Sequence, residues 1–189
     1  MQVNDLSKSF GGRPVLQHLS FTAGVGVTCI MAPSGAGKTT LLRILLGLET
    51  ADGGTVSGAP ERWGAMFQED RLLEALTAME NLRFAVGSAL DEEKAAALLT
   101  RLGLGGEGEK RVRDYSGGMK RRLALARALL SSSDGLILDE PFTGLDEENR
   151  GVCIAAIKEA AQEKPVLLVT HEARDAEALH ARVIQLYQL

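Results

Sequence analysis

Apolar positions along the chain gather into short runs separated by glycine-rich turns, and two spacings alternate. Val25 to Met31, Leu136 to Leu138 and Val166 to Thr170 are compact aliphatic runs of strand length, the pattern of strands buried on both faces. Val15 to Phe21 alternates after the turn Gly11-Gly12-Arg13-Pro14. Gly53 to Gly58 reads as a turn and short strand, Trp63 to Phe67 as another, and Val183 to Tyr187 as the last. Between these the spacing becomes helical: Lys38 to Leu48, Asp91 to Leu102 stopped at Gly103, Gly117 to Leu130 capped by Ser116, Asp146 to Gln162, and Glu172 to His180. Thr77 and Glu80 have capping-box spacing, so a further helix starts there. Strands alternating with helices predict an α/β fold with a mostly parallel sheet. The early strands and the helical stretch of about 70–115 read as additions to that core.

Composition narrows the class. A chain of 189 residues with no low-complexity segment is read as one domain over 1–189, with the helical stretch inside it. Folding at this length buries about 70% of the extended chain's surface, enough to form a core without a disulfide or metal staple. Cys29 and Cys153 stand far apart and form no metal or redox spacing, so they are expected to be small buried hydrophobes in a reducing compartment. A net charge of −4 supplies no basic field for nucleic acid. No run reaches the roughly 20 apolar residues of a membrane helix, and the first residues do not resemble a secretory leader. Any membrane role is therefore expected to act through a partner.

The 21 glycines are clustered, and the clusters mark the chemistry. Ala32-Pro33-Ser34-Gly35-Ala36-Gly37-Lys38-Thr39, followed by Thr40, lies between a strand and a helix, the context of a phosphate-binding P-loop. Gly35 and Gly37 allow backbone N–H groups to turn toward phosphate oxygens, and the helix N-terminus adds its positive end. Lys38 brings charge to the β- and γ-phosphates, and the Thr39 hydroxyl suits Mg²⁺. Ala32 stands where the pattern usually opens on glycine; alanine fits there if φ is negative.

Leu136-Ile137-Leu138-Asp139-Glu140-Pro141 sets two acids at the end of a buried strand, the sheet edge where α/β proteins bind ligands. Asp139 is expected to hold Mg²⁺, and Glu140 to take a proton from an attacking water. His171 follows Val166 to Thr170 and ends on the same edge. Ser116-Gly117-Gly118 opens a helix and forms a second anion site. Lys120, Arg121 and Arg122 oppose the dipole of that helix, and a polyanion bound nearby would offset the repulsion. Two phosphate loops beside one nucleotide motif suggest a dimer, each second loop facing the other subunit's nucleotide.

Taken in order, these residues resemble the ATP-binding subunits of ABC transporters, over nearly the whole chain. The resemblance implies a P-loop NTPase core, an N-terminal antiparallel β-subdomain and an inserted helical subdomain. It implies that Gln68 is the Q-loop glutamine that senses Mg²⁺ and the water, Ser116 to Gly118 the signature, Asp139 and Glu140 the Walker B aspartate and base, Asp146 the D-loop acid, and His171 the switch histidine. Phe10 would stack on adenine. Two copies, or one copy and a related subunit, would sandwich two ATP molecules and drive separate transmembrane permease subunits from the cytoplasmic face of the membrane. The permease would dock near residues 68–80 and the helix after Thr77.

The sequence departs from the family at Met119 and Tyr115 around the signature and at Thr143-Gly144 before the D-loop. Only 18 residues follow His171, so the regulatory extension of the sugar importers is not expected. The phrase around Gln68 resembles the nitrate, sulfonate and taurine importers. Other classes fit the residues less well: a small-molecule kinase leaves Ser116 and the Asp139-Glu140 pair unexplained. A non-transport ABC ATPase acting on DNA or ribosomes would call for a long insertion between Gly37 and Ser116 or a second cassette. A binding module without turnover conflicts with Glu140 and His171.

Overall fold

The computed structural model describes residues 1–33 and 35–186, so Ser34 of the phosphate loop and Tyr187 of the last expected strand lie outside the described residues. The chain runs β1 (Gln2–Phe10), β2 (Arg13–Thr22), β3 (Gly26–Met31), α1 (Lys38–Leu45), β4 (Gly53–Ser57), β5 (Trp63–Met66), α2 (Ala78–Val86) and α3 (Glu92–Arg101). It continues through α4 (Gly117–Leu130), β6 (Gly135–Asp139), α5 (Glu147–Ala160), β7 (Pro165–Thr170), α6 (Ala173–Ala178) and β8 (Arg182–Gln185). Five strands form a parallel sheet in the order β5-β6-β7-β3-β8, and β2-β1-β4 form a separate antiparallel sheet.

The aliphatic runs become central strands because both sheet faces are covered. Leu136, Leu138, Val166 and Leu168 pack toward α2 to α5, whereas Ile30, Ile137, Leu167 and Val169 pack toward α1 and the antiparallel sheet. The period-2 alternation thus divides one run between two cores, each fully buried aliphatic side chain contributing about 1.5–3 kcal/mol. Among the described residues no helix is long and apolar enough to cross a membrane.

Helix starts follow the sequence closely. Thr77 Oγ1 accepts from Glu80 N at 3.3 Å while Glu80 Oε2 accepts from Thr77 N at 2.7 Å, completing the capping box. Asp91 and Asp146 are caps rather than first helical residues, accepting from Lys94 N and Asn149 N.

Helix ends depart from expectation. α1 stops at Leu45, three residues before Leu48, because Gly47 takes φ 68° and Leu48 N donates back to Arg43 O. This bond, with Gly47 N donating to Ile44 O, is a Schellman motif. His180, at φ 50°, ends α6 in the same way. β1 has no clean alternation to read, since Asp5 adopts φ 54° and the pairing shifts register on either side of Leu6.

Candidate active site

The sheet order assembles the site. In β5-β6-β7-β3, the C-terminal ends of four neighbouring strands lead to Gln68, Asp139-Glu140, His171 and the glycine loop. These four segments, together with Thr143 and Val15, line a cleft of about 590 Å³. Gly35, Gly37, Lys38, Thr39 and Thr40 form its floor.

In the glycine loop, Gly35 and Gly37 hold φ of 82° and 83°, the left-handed region where only glycine is free of strain. A Cβ on Gly37 would stand 2.8 Å from Val15 O and 2.9 Å from Leu16 Cδ2, so the antiparallel sheet presses directly on the loop. Ala32 is buried and keeps a negative φ, and alanine is therefore accommodated. Lys38 opens α1, and its Nζ donates to Ala32 O at 3.2 Å and to Glu140 Oε1 at 3.3 Å.

Glu140 is the hub of the cleft. Besides Lys38, His171 Nδ1 lies 2.9 Å from its Oε2, and Thr143 Oγ1 donates to it at 3.4 Å. Its backbone holds φ 52°, a conformation costing a non-glycine residue of order 1–3 kcal/mol and kept only where neighbours over-determine it. Asp139 is 7% exposed. Burial pushes its carboxyl up from the ordinary carboxylate value, the Glu140 charge adds to the rise, and Lys38 and Arg121 oppose it. A carboxylate under such pressure is poised for a cation. Among the described residues no group of three or more His, Cys, Asp and Glu could hold a metal ion. Thr39 and Asp139 both line the cleft, and a hydroxyl with one carboxylate is the kind of oxygen pair that Mg²⁺ takes, its shell being completed by phosphates and water.

Not every expected residue enters this cleft. Ser116 and Gly117 are exposed and Gly118 is half-buried. Gly117 and Gly118 line an adjoining surface that shares Gln68 and Thr143 with the cleft. Ser116 Oγ caps α4 by accepting from Met119 N at 3.2 Å. Asp146 caps α5 outside the cleft lining, its carboxyl lowered chiefly by the backbone bond from Asn149. Phe10, at the β1–β2 hairpin, is 48% exposed with Lys8 Nζ 5.0 Å from its ring centroid; Val15 of β2, rather than Phe10, lines the cleft.

The basic run after the signature is corrected outright. Lys120 pairs with Glu74 at 2.6 Å, Arg122 Nη1 donates to Leu102 O at 2.5 Å, and Arg121 is buried among backbone carbonyls. The chain's own oxygens satisfy these cations, and no external polyanion is needed. Thr143 and Arg121 escaped sequence reasoning; a hydroxyl three residues after Glu140 was the available signal for the first, and the second had none.

Comparison with known proteins adds the family. A family profile described as ABC transporter matches residues 16–143. The chain is 40% identical to an aliphatic sulfonates import ATP-binding protein of Rhodococcus jostii, over 91% of this chain and 73% of the relative. It is 39% identical to the Nod factor export ATP-binding protein I of Cupriavidus pinatubonensis, over 95% of this chain. The chain spans only 61% of that relative's length. A solved dimeric bacterial ABC transporter cassette superposes with TM-score 0.83 at 25% identity, over 98% of this chain and 94% of that one.

Proposed function

The chain belongs to the ABC transporter family as an ATP-binding subunit, and from that premise we propose that it hydrolyses Mg-ATP between two copies of itself, or with a related subunit, to drive a separate permease. The observation that carries this reading is the Glu140 carboxylate, held at the wall of the phosphate cleft by Lys38 at 3.3 Å and His171 at 2.9 Å.

Glu140 is the general base: it takes a proton from water as the water attacks the γ-phosphorus and the bond to ADP breaks. An ionised carboxylate only accepts hydrogen bonds, so His171 presents Nδ1–H to it and fixes its orientation. Lys38 and the N–H groups of Gly35 to Thr39 neutralise and hold the triphosphate. Thr39 and Asp139, with Gln68 beside them, would hold Mg²⁺, which would supply charge neutralisation to the phosphates when bound. Ser116 to Gly118, beside the cleft, contact the γ-phosphate held by the partner copy, and Asp146 faces the same junction. Phe10 supports the adenine from the hairpin.

The permease docks on the segment after Gln68 and on α2, where Leu73 and Phe84 are 40% and 74% exposed. That contact holds the subunit on the inner face of the membrane. Relatives named for sulfonate import and for Nod factor export match almost equally, at 40% and 39% identity, which supports a shared engine and assigns no cargo. Phosphate release by the purified chain tests the proposal: Glu140→Gln keeps ATP binding and loses turnover by about 10²–10⁴-fold, whereas Lys38→Ala loses binding. Full turnover in Glu140→Gln overturns it.

A further inference from the structure

Arg121 lies one turn into the signature helix, 5% exposed, and every bond it makes leads to the active site. Nη1 donates to Phe67 O at 2.9 Å, Gln68 O at 3.0 Å and Asp70 Oδ1 at 2.8 Å. Nη2 donates to Glu140 O at 2.7 Å and to Asp139 O, and Nε donates to Glu140 O at 3.2 Å. These oxygens come from two segments only, the stretch after β5 that carries Gln68 and the end of β6 that carries Asp139 and Glu140.

A guanidinium is a rigid planar fork of five donors. Spanning two segments, it fixes the distance between them, where a lysine's single point charge would leave one side unheld. Two of its donors, Nε and Nη2, converge on Glu140 O, whose left-handed backbone needs an external restraint. Arg127, two turns further along α4, donates to Asp70 O and Arg71 O and secures the far end of the Gln68 segment.

We propose that Arg121 is a positioning residue of the ATPase reaction: it locks the backbone of Glu140 to that of Gln68, so that both side chains address one water. A displacement of the Gln68 segment, on which the permease docks, then moves the base as well. This inference rests on the roles proposed above for Glu140 and Gln68.

The test compares Arg121→Lys, Asp70→Asn and Glu140→Gln in the full chain, measuring kcat, the KM for ATP, ATP binding and melting temperature. Arg121→Lys is expected to lower kcat by about tenfold or more while KM and binding stay within about threefold. Asp70→Asn should lower kcat by a few-fold and add less than that in the Arg121→Lys background, since both act through one guanidinium. Arg121→Lys should not reduce the residual single-turnover rate of Glu140→Gln, because its effect passes through the base.

An Arg121→Lys kcat within about twofold of the parent overturns the inference. So does a fall in kcat and binding together, in step with melting temperature, which marks a purely structural cation. If Arg121→Lys does not fold, an unchanged kcat in Asp70→Asn overturns it and a selective fall in kcat supports it. An inactive Glu140→Gln beside a normal Arg121→Lys removes this inference alone, whereas an active Glu140→Gln removes the reading beneath it.

Discussion

His171 Nδ1 lies 2.9 Å from Glu140 Oε2, joining the loop after β7 to the residue after β6 across neighbouring strands. The imidazole is 59% exposed and the carboxylate 13% exposed, so the histidine reaches inward from the rim to steady a group already enclosed. His171→Ala leaves Glu140 with only the Lys38 and Thr143 contacts. The expected result is a fall in kcat of about 10–10²-fold with little change in the KM for ATP, read by steady-state phosphate release. An equal loss in nucleotide affinity would mean that His171 binds substrate rather than orienting the base.

Two glycines separate folding from recognition. Gly37 combines φ 83° with a hypothetical Cβ 2.8 Å from Val15 O, so Gly37→Ala should cost stability by at least about 1 kcal/mol and damage nucleotide binding. Gly117 has a negative φ, and a Cβ there would meet nothing within 4 Å. Gly117→Ala should therefore leave the single chain as stable, or firmer by up to about 1 kcal/mol through a less disordered unfolded state. It should nonetheless weaken ATP-dependent association, because the added methyl fills the approach to the partner's phosphate. Thermal melts of both variants, without nucleotide, check the contrast.

Asp139 predicts a pH signature. Its folded-state pKa is raised, first by burial, so the protonated form is the one folding favours. That contribution is complete below the ordinary carboxylate value and is lost as pH rises through the raised folded value. Asp139→Asn removes the buried charge and should raise the melting temperature of the nucleotide-free chain at pH 7.5, by less at pH 4.5, while abolishing Mg²⁺-dependent turnover. A melting temperature lowered at both pH values would show that the carboxylate stabilises the fold.

The strand and helix order was legible because both sheet faces are covered, which keeps β3, β6 and β7 as unbroken aliphatic runs, and because Thr77, Asp91, Ser116 and Asp146 cap their helices with their own side chains. Helix ends were less legible: Gly47 and His180 stop α1 and α6 through left-handed turns that hydrophobic spacing does not encode. β1 was obscured by the irregularity at Asp5. In the site, motif residues at strand ends could be named in advance, since sheet order brings them together. Arg121 could not, because all its partners but the Asp70 carboxylate are backbone carbonyls, which every residue type carries. The same blindness made the basic run look as though it needed a polyanion nearby to offset its repulsion with the helix dipole.

The central claim is that nucleotide is held between two chains, and the mass of Glu140→Gln in solution tests it most directly. Size exclusion with light scattering should give one chain, 20.2 kDa, without nucleotide. In saturating Mg-ATP it should give twice that mass, reverting to a single chain when Gly117→Ala is added. A Glu140→Gln protein that binds ATP yet remains at 20.2 kDa would contradict the account.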